Sequence, residues 1–169
     1  SRTPAGEYRL NVGGKTLSDV SLVGCESQQG APLEDGFVRV AVRASGMNFR
    51  DVLIVLKPEL FPDHHGDIGF ECSGIVVASS TPKLRIGDEV IALCGNGGFG
   101  SHVVVPEEHT AKKPAGLTFE EAAGIPIAGC TASWCLERIA HVQRGQRVLV
   151  HGAAGGVGVA AVQIAQAAG

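Results

Sequence analysis

Short runs of alternating apolar and polar residues occupy residues 1–116. Over residues 37–45 every second side chain is apolar and Arg39 and Arg43 lie on the opposite face, which predicts a half-buried strand. Further strands are predicted, between turn signals, over residues 70–79, 89–93 and 101–105. Short strands at this spacing are typical of a small barrel or sandwich.

Helical periodicity replaces this alternation after residue 117. Thr118 and Glu121 have the spacing of a capping box, in which the threonine hydroxyl accepts a hydrogen bond from the glutamate backbone amide. A short helix is predicted after Thr118, and Pro126 is expected to interrupt it. Apolar residues at helical spacing then predict a second helix over about residues 129–140.

A strand, a glycine-rich turn and a helix follow in that order. A compact apolar run predicts a buried parallel strand over residues 146–151, and a single apolar face predicts a helix in the last part of the chain. Between them lie residues 152–158, here called the glycine turn. Read against G-x-G-x-x-G, the turn places Ala153, Gly155 and Gly158 at the three glycine positions, with alanine at the first.

The glycine turn has the sequence context that dinucleotide binding requires. Small residues allow the backbone to approach a pyrophosphate, and the free amides at the helix N-terminus meet the anion. The alternative is a strand-to-helix turn with only a structural role. One strand and one helix cannot form a parallel sheet, so we expect the natural chain to continue beyond Gly169. The residue that selects NAD or NADP is expected there as well.

Composition and charge narrow the classes of partner. The 169 residues carry a formal net charge of −3 and no run of lysine or arginine, which argues against nucleic acid. No apolar stretch approaches the roughly 20 residues that span a bilayer, so no membrane partner is expected. The five cysteines form no C-x-x-C pair, which favours the reducing cytoplasm over a disulfide framework. Each cysteine is predicted to be a small buried apolar residue.

Three segments together resemble one family: residues 45–53 (SGMNFRDVL), 69–74 (GFECSG) and 151–158 (HGAAGGVG). They are similar to the zinc-independent, quinone-oxidoreductase-like branch of the medium-chain dehydrogenase/reductase superfamily. The greatest similarity is to the enoylreductase domain of modular (type I) polyketide synthases. The resemblance implies a mixed α/β fold. A GroES-like β-barrel domain would occupy residues 1–117, and the first strand and helix of a truncated Rossmann fold would occupy residues 118–169.

The resemblance also implies a function. The chain would belong to an enoyl reductase that transfers hydride from NADPH to the β-carbon of an α,β-unsaturated acyl thioester. An acyl carrier protein would carry that thioester, and neighbouring polyketide synthase domains would be the other partners, in the cytoplasm. Two rivals remain: a free-standing NADPH-dependent quinone or enal reductase, and a fragment that is only a non-catalytic structural module. An altered reductase that performs reductive ring closure is a third alternative.

Candidate site residues follow from the same resemblance. Asn48 is expected near the nicotinamide as a catalytic and cofactor-binding residue, and Thr131 is expected beside the nicotinamide. Phe61 stands where many related domains have a tyrosine, and it would shape the pocket because it has no hydroxyl with which to donate a proton. The cofactor diphosphate would be held by the glycine turn: Gly152, Ala153, Ala154, Gly155, Gly156, Val157 and Gly158.

No zinc site is predicted. Phe70 occupies the position at which zinc-dependent relatives have a histidine ligand, and a phenyl ring offers no lone pair. The ligand cysteine expected near Asn48 and the four-cysteine structural lobe are both absent from the sequence. The pair His64-His65 is interpreted as part of a solvated loop, since adjacent side chains of an extended segment point to opposite sides. Arg50 and Asp51 are interpreted as a structural ion pair or a surface face rather than as site residues.

Overall fold

The computed structural model describes residues 3–63 and 68–169, so the His64-His65 pair lies outside the described residues. The strands are β1 (Tyr8–Val12), β2 (Val20–Gly24), β3 (Phe37–Gly46), β4 (Glu71–Ser79), β5 (Glu89–Leu93), β6 (His102–Pro106) and β7 (Thr110–Lys112). The α-helices are α1 (Phe49–Leu56), α2 (Phe119–Ala123), α3 (Ile125–Ser133) and α4 (Gly156–Ala168). Three short 3₁₀ turns (Leu17–Asp19, Pro58–Leu60 and Glu107–His109) and a π-helical turn (Trp134–Ile139) complete the elements of the described residues.

Five strands form one antiparallel sheet in the order β6-β3-β4-β5-β7, and β1 and β2 form a separate antiparallel pair. The sheet buries one cluster of side chains, all almost inaccessible to solvent: Val38, Val40, Cys72, Val76, Leu84, Val90, Ala92, Val103 and Val105. A second cluster beneath α1 contains Ile54, Val55, Ile68 and Phe70. The strands predicted within residues 37–105 are therefore confirmed, with shifts of a residue at several ends.

The simple alternation predicted for β3 is wrong at Arg39, which is buried rather than exposed. The Arg39 guanidinium nitrogen Nη2 donates to Oε1 of Gln28, in a separate loop, at 3.3 Å, whereas its buried nitrogen Nη1 has no hydrogen-bond partner among the described residues. Register shifts between Arg39 and Val40, and between Val42 and Ala44, also interrupt the strict two-residue period.

The capping box before α2 is confirmed. The Glu121 backbone N–H donates to Oγ1 of Thr118 at 3.2 Å, and the Thr118 backbone N–H donates to Oε2 of Glu121 at 2.8 Å. The helical segment is interrupted as predicted, but the break lies at Gly124, two residues before Pro126. Pro126 lies in the first turn of α3, where its missing N–H costs no helical hydrogen bond. The helix predicted from residue 129 therefore starts earlier, at Ile125.

Of the strand and the helix predicted at the end of the chain, only the helix is present. Helix α4 is confirmed, but residues 146–151 form no strand, because no other described segment supplies a hydrogen-bonded ladder for them. The prediction of buried cysteines holds for Cys72 and is wrong for Cys25, Cys130 and Cys135, which are exposed. None of the helices among the described residues combines the length and apolar content needed to cross a bilayer.

Candidate functional site

Asn48 precedes the first residue of α1 and is held through both its backbone and its side chain. Its backbone N–H donates to Oδ2 of Asp51 at 2.7 Å, and its side-chain nitrogen Nδ2 donates to Oε1 of Glu71 at 2.8 Å. Asp51 is buried, and its second oxygen Oδ1 accepts the backbone N–H of Gly69 at 2.8 Å. Asp51 therefore connects the start of α1 to the segment that leads into β4. Its contacts are with backbone amides, so the interpretation as a structural ion pair or a surface face is wrong for Asp51.

Glu71 connects this region to α3. Its side chain is only 2% exposed, and its second oxygen Oε2 accepts the backbone N–H of Ile127 at 2.8 Å. Gly46 makes the arrangement possible, because a Cβ at that position would lie 2.4 Å from Oε1 of Glu71. One carboxylate thus contacts the start of α1 and the first turn of α3.

Helix α3 in turn packs against α4, and it lies beside the glycine turn. A Cβ built on Gly156 would lie 3.7 Å from the Cβ of Ala128. Thr131 is exposed and lies four residues after Ile127, one turn along the same side of α3. The contacts of α3 therefore link the segments that carry Asn48, Thr131 and the glycine turn.

The glycine turn is built from backbone contacts. Gly152 has a positive φ of 65°, and its carbonyl accepts the backbone N–H of Gly155 at 3.0 Å. Gly158 is buried directly against this turn, since a Cβ there would lie 2.2 Å from the Gly152 carbonyl oxygen. A side chain at residue 158 would therefore force the turn away from the helix.

The start of α4 carries two glycines and the partly exposed side chain of Val157. Gly156, Val157 and Gly158 are the first residues of the helix, and N–H groups in that turn have no acceptor within the helix. Residues 152–157 are exposed, and no atom outside the immediate neighbours of Gly155 lies closer than 3.4 Å to a Cβ built there. Exposed amides at the positive end of a helix dipole fit a diphosphate group.

Phe61 lies in an apolar environment at the end of the Pro58–Leu60 turn. It is partly buried and packs against the cluster beneath α1. The guanidinium carbon of Arg50 lies 5.9 Å from the centre of the Phe61 ring and 4.4 Å from the centre of the Phe70 ring. These are cation–π distances, so the exposed Arg50 packs over two aromatic rings.

The structure also reveals contacts that the sequence analysis missed. Glu71 and Gly46 had no predicted role, although a charged residue at the start of an otherwise apolar strand is a usable signal. Cys94 Sγ lies 3.4 Å from Cys72 Sγ. The hydrogen bond to Cys72, followed by burial, raises the pKa of the Cys94 thiol, which makes it a poor nucleophile. Among the described residues, no three histidine, cysteine or acidic side chains cluster as metal ligands would.

Comparison with known proteins places these contacts in context. Residues 34–115 match the alcohol dehydrogenase GroES-like domain, which confirms the domain type expected for the first part of the chain. The chain is 41% identical over 165 residues to the highly reducing polyketide synthase lcsB of Purpureocillium lilacinum. Its structure is similar to that of CurK enoyl reductase, with a TM-score of 0.88 and 35% identity. It is also similar to a mycobacterial protein solved with NADPH, with a TM-score of 0.81 and 29% identity.

The chain corresponds to only a part of each of these proteins. The match to lcsB includes 96% of this chain but 6% of that synthase. The match to CurK includes 96% of this chain and 52% of CurK, and the match to the NADPH complex includes 97% and 50%. The chain therefore spans about half the length of these two structures. The resemblance and the mixed α/β fold inferred from the three motifs are confirmed.

Proposed function

We propose, given that this chain contains the GroES-like domain of the alcohol dehydrogenase family, that it is the first half of an enoyl reductase that acts in polyketide synthesis. The observation that carries the proposal is the linkage through α3. Glu71 joins Asn48 to Ile127, and Ala128 lies beside Gly156 at the start of α4. A nicotinamide cofactor needs one site for its diphosphate and another for its reactive ring. The start of α4 would bind the diphosphate, and the region of Asn48 would bind the ring.

The cofactor we propose is NADPH. When bound, it supplies the hydride that adds to the β-carbon of an α,β-unsaturated acyl thioester. The first amides of α4, from Gly156 to Gly158, bind the diphosphate. Asn48 and Thr131 orient the nicotinamide end, and orientation of this kind contributes a large share of catalysis in hydride transfer. The similarity to a protein solved with NADPH supports this choice.

Domain boundaries and partners are part of the same proposal. Residues 1–117 form the GroES-like substrate and catalytic domain, and residues 118–169 begin the Rossmann domain. The substrate is an enoyl thioester on an acyl carrier protein, and other synthase domains are the neighbours. The similarity to a polyketide synthase of which this chain covers only 6% supports these partners, since such a synthase has room for many further domains.

The reaction itself provides the test. A complete reductase that contains this chain is mixed with NADPH and a crotonyl thioester, and NADPH absorbance is followed. We expect absorbance to fall with the crotonyl thioester and to stay constant with the saturated butyryl thioester, which has no double bond to accept hydride. Reduction of quinones or free enals without reduction of thioesters would favour the free-standing reductase. Failure to bind NADPH in a fluorescence titration would favour the structural module.

Phe61 offers a second test of the proposed site. Because a phenyl ring cannot donate a proton, Phe61 shapes the pocket and another group protonates the α-carbon. Replacing Phe61 with tyrosine adds a hydroxyl at little change in volume. With an α-methyl-branched enoyl thioester, we expect Phe61→Tyr to change the configuration of the product at the α-carbon. An unchanged configuration would argue against a place for Phe61 at the reacting carbon.

A further inference from the structure

We propose that Glu71 is a positioning residue that determines which end of the Asn48 side-chain amide faces the reacting groups. This inference rests on the proposed function for its effect on catalysis. The contact itself is independent of that function, because it joins residues of this chain alone. Glu71 is 2% exposed, and each of its two carboxylate oxygens accepts one N–H at 2.8 Å.

The chemistry of a carboxylate fixes the orientation of Asn48. An ionised carboxylate only accepts hydrogen bonds, whereas an amide side chain has a donor end and an acceptor end. Oε1 of Glu71 therefore selects the nitrogen Nδ2 of Asn48, and the Asn48 oxygen is directed away from Glu71. An amide without such a partner turns over readily, because its two ends have nearly the same size.

A second carboxylate completes the support. Asp51 holds the Asn48 backbone N–H at 2.7 Å and the Gly69 backbone N–H at 2.8 Å. Gly69 precedes Glu71 by two residues, so Asn48, Asp51, Gly69 and Glu71 form a closed ring of covalent and hydrogen bonds. Gly69 cannot be exchanged freely, because it has a φ of 95° and a Cβ there would lie 2.4 Å from the backbone nitrogen of Phe99. The ring restrains the Asn48 side chain except for rotation of its terminal amide, which would exchange the oxygen and the nitrogen. The hydrogen bond to Glu71 prevents that rotation.

The contact with Ile127 gives Glu71 a second effect. Its oxygen Oε2 accepts an N–H in the first turn of α3, the helix that carries Thr131. The buried carboxylate of Glu71 therefore contacts Asn48 itself and the helix that carries Thr131, the two residues proposed to orient the nicotinamide. Neither oxygen of Glu71 is placed to donate a proton, since both accept from N–H donors. Glu71 thus acts through Asn48 and α3 and not on the substrate.

The isosteric variant Glu71→Gln separates these roles. Ile127 still requires an acceptor, so the new glutamine directs its oxygen to Ile127 and its nitrogen to Asn48. Asn48 must then turn its amide over to offer an oxygen. In the complete reductase we expect kcat to fall on the order of 10- to 100-fold, as for small misplacements of an orienting group. The Kd for NADPH should change less than about twofold, since the amides of α4 that bind the diphosphate are untouched.

A double-mutant cycle distinguishes positioning from general damage. Because Glu71 acts through Asn48, Glu71→Gln should lower kcat by less than about twofold further when Asn48 is already alanine. Equal, additive losses in both backgrounds would overturn the proposal. The control Glu34→Gln removes an exposed carboxylate of the β-rich part and should leave kcat unchanged. Should Glu71→Gln fail to fold, Glu71→Asp keeps the charge but is too short to reach both donors. We expect the same order of kcat loss, and a wild-type kcat would overturn the proposal.

Structural readouts keep this inference distinct from the proposed function. NMR spectra of the same protein report the Asn48 side-chain amide protons and the exchange rate of the Ile127 amide. We expect Glu71→Gln to shift the former markedly, with the Ile127 amide still protected, and Glu34→Gln to change neither. Unchanged Asn48 resonances would overturn the proposal. Failure of the wild-type protein to reduce thioesters would remove only the proposed reaction, because the NMR comparison needs no turnover.

Discussion

The β-rich part of this chain, from β1 to β7, and the helical part, from α2 to α4, differ in how far their apolar side chains are buried. In the five-stranded sheet, Val38, Val40, Val76, Val90 and Val105 are completely buried. In the helical part, by contrast, Trp134 is 63% exposed and Leu149 is 83% exposed. The sheet supplies its own ladder partners, whereas residues 146–151 have an apolar pattern and no ladder among the described residues. We propose that further polypeptide covers the exposed apolar side chains of residues 146–151 in the complete reductase.

The comparison is tested most strongly at Leu149. If further chain covers the helical part in the complete reductase, as we propose, Leu149→Ala creates a cavity there and lowers the free energy of unfolding by about 2–5 kcal/mol. In the 169-residue chain the same change should stay within about 0.5 kcal/mol, because the side chain is already exposed. Urea denaturation of both lengths measures the difference.

Leu17→Ala is the control for Leu149→Ala. Leu17 is also an exposed leucine, but it lies in the β-rich part. We expect its replacement to change the free energy of unfolding by less than about 0.5 kcal/mol at either length. Equal effects of Leu149→Ala at the two lengths would contradict the proposal that further chain covers Leu149.

Val76 tests the other side of the comparison. Its side chain is fully buried in the sheet core, so Val76→Ala should lower the free energy of unfolding by about 2 kcal/mol, through lost transfer energy and a residual cavity. Val77 is the next residue of the same strand and is 39% exposed, so Val77→Ala should cost much less. Denaturation curves of the two variants that coincide would show that the sheet core is not packed as described.

How far the sequence predicts each part depends on where its partners lie in the chain. The strand at residues 89–93 and the capping box at Thr118 depend on local patterns, and both were predicted correctly. Arg39 was assigned to the solvent face because its partner, Gln28, belongs to a separate loop. Glu71 had no predicted role, because its two donors come from segments far from it in sequence. Contacts between distant segments leave no periodic signal.

Gly158 tests whether the glycine turn depends on its backbone contact. Its absent Cβ allows α4 to approach the Gly152 carbonyl, and an added methyl would overlap that oxygen. Gly158→Ala should cost about 1–3 kcal/mol of local strain. Because this strain destabilises the conformation of the glycine turn that binds the diphosphate, the affinity for NADPH should fall about 10- to 100-fold. Fluorescence titration of the complete reductase measures it. Gly116→Ala, at a site with no atom near the added Cβ, should leave the affinity unchanged.

The smallest expected effect concerns the start of the helical part. The Thr118 hydroxyl accepts the Glu121 amide, so Thr118→Ala should lower the free energy of unfolding by about 1 kcal/mol, whereas Thr118→Ser should retain most of it. Hydrogen bonds from the backbone and then the side chain of Thr118 hold the pKa of Glu121 below its ordinary value of 4.5.

A lowered carboxyl pKa gives this contact a defined pH dependence. Its contribution to stability is fully present above the ordinary value of 4.5 and is lost as the pH falls through the lowered pKa of Glu121, when the carboxyl binds a proton. The difference in unfolding free energy between the wild type and Glu121→Gln should therefore narrow as the solution is acidified below that value. Because Glu121 is exposed, added salt should narrow the same difference at neutral pH. A difference that is independent of pH would show that the charge of Glu121 does not contribute to the capping box.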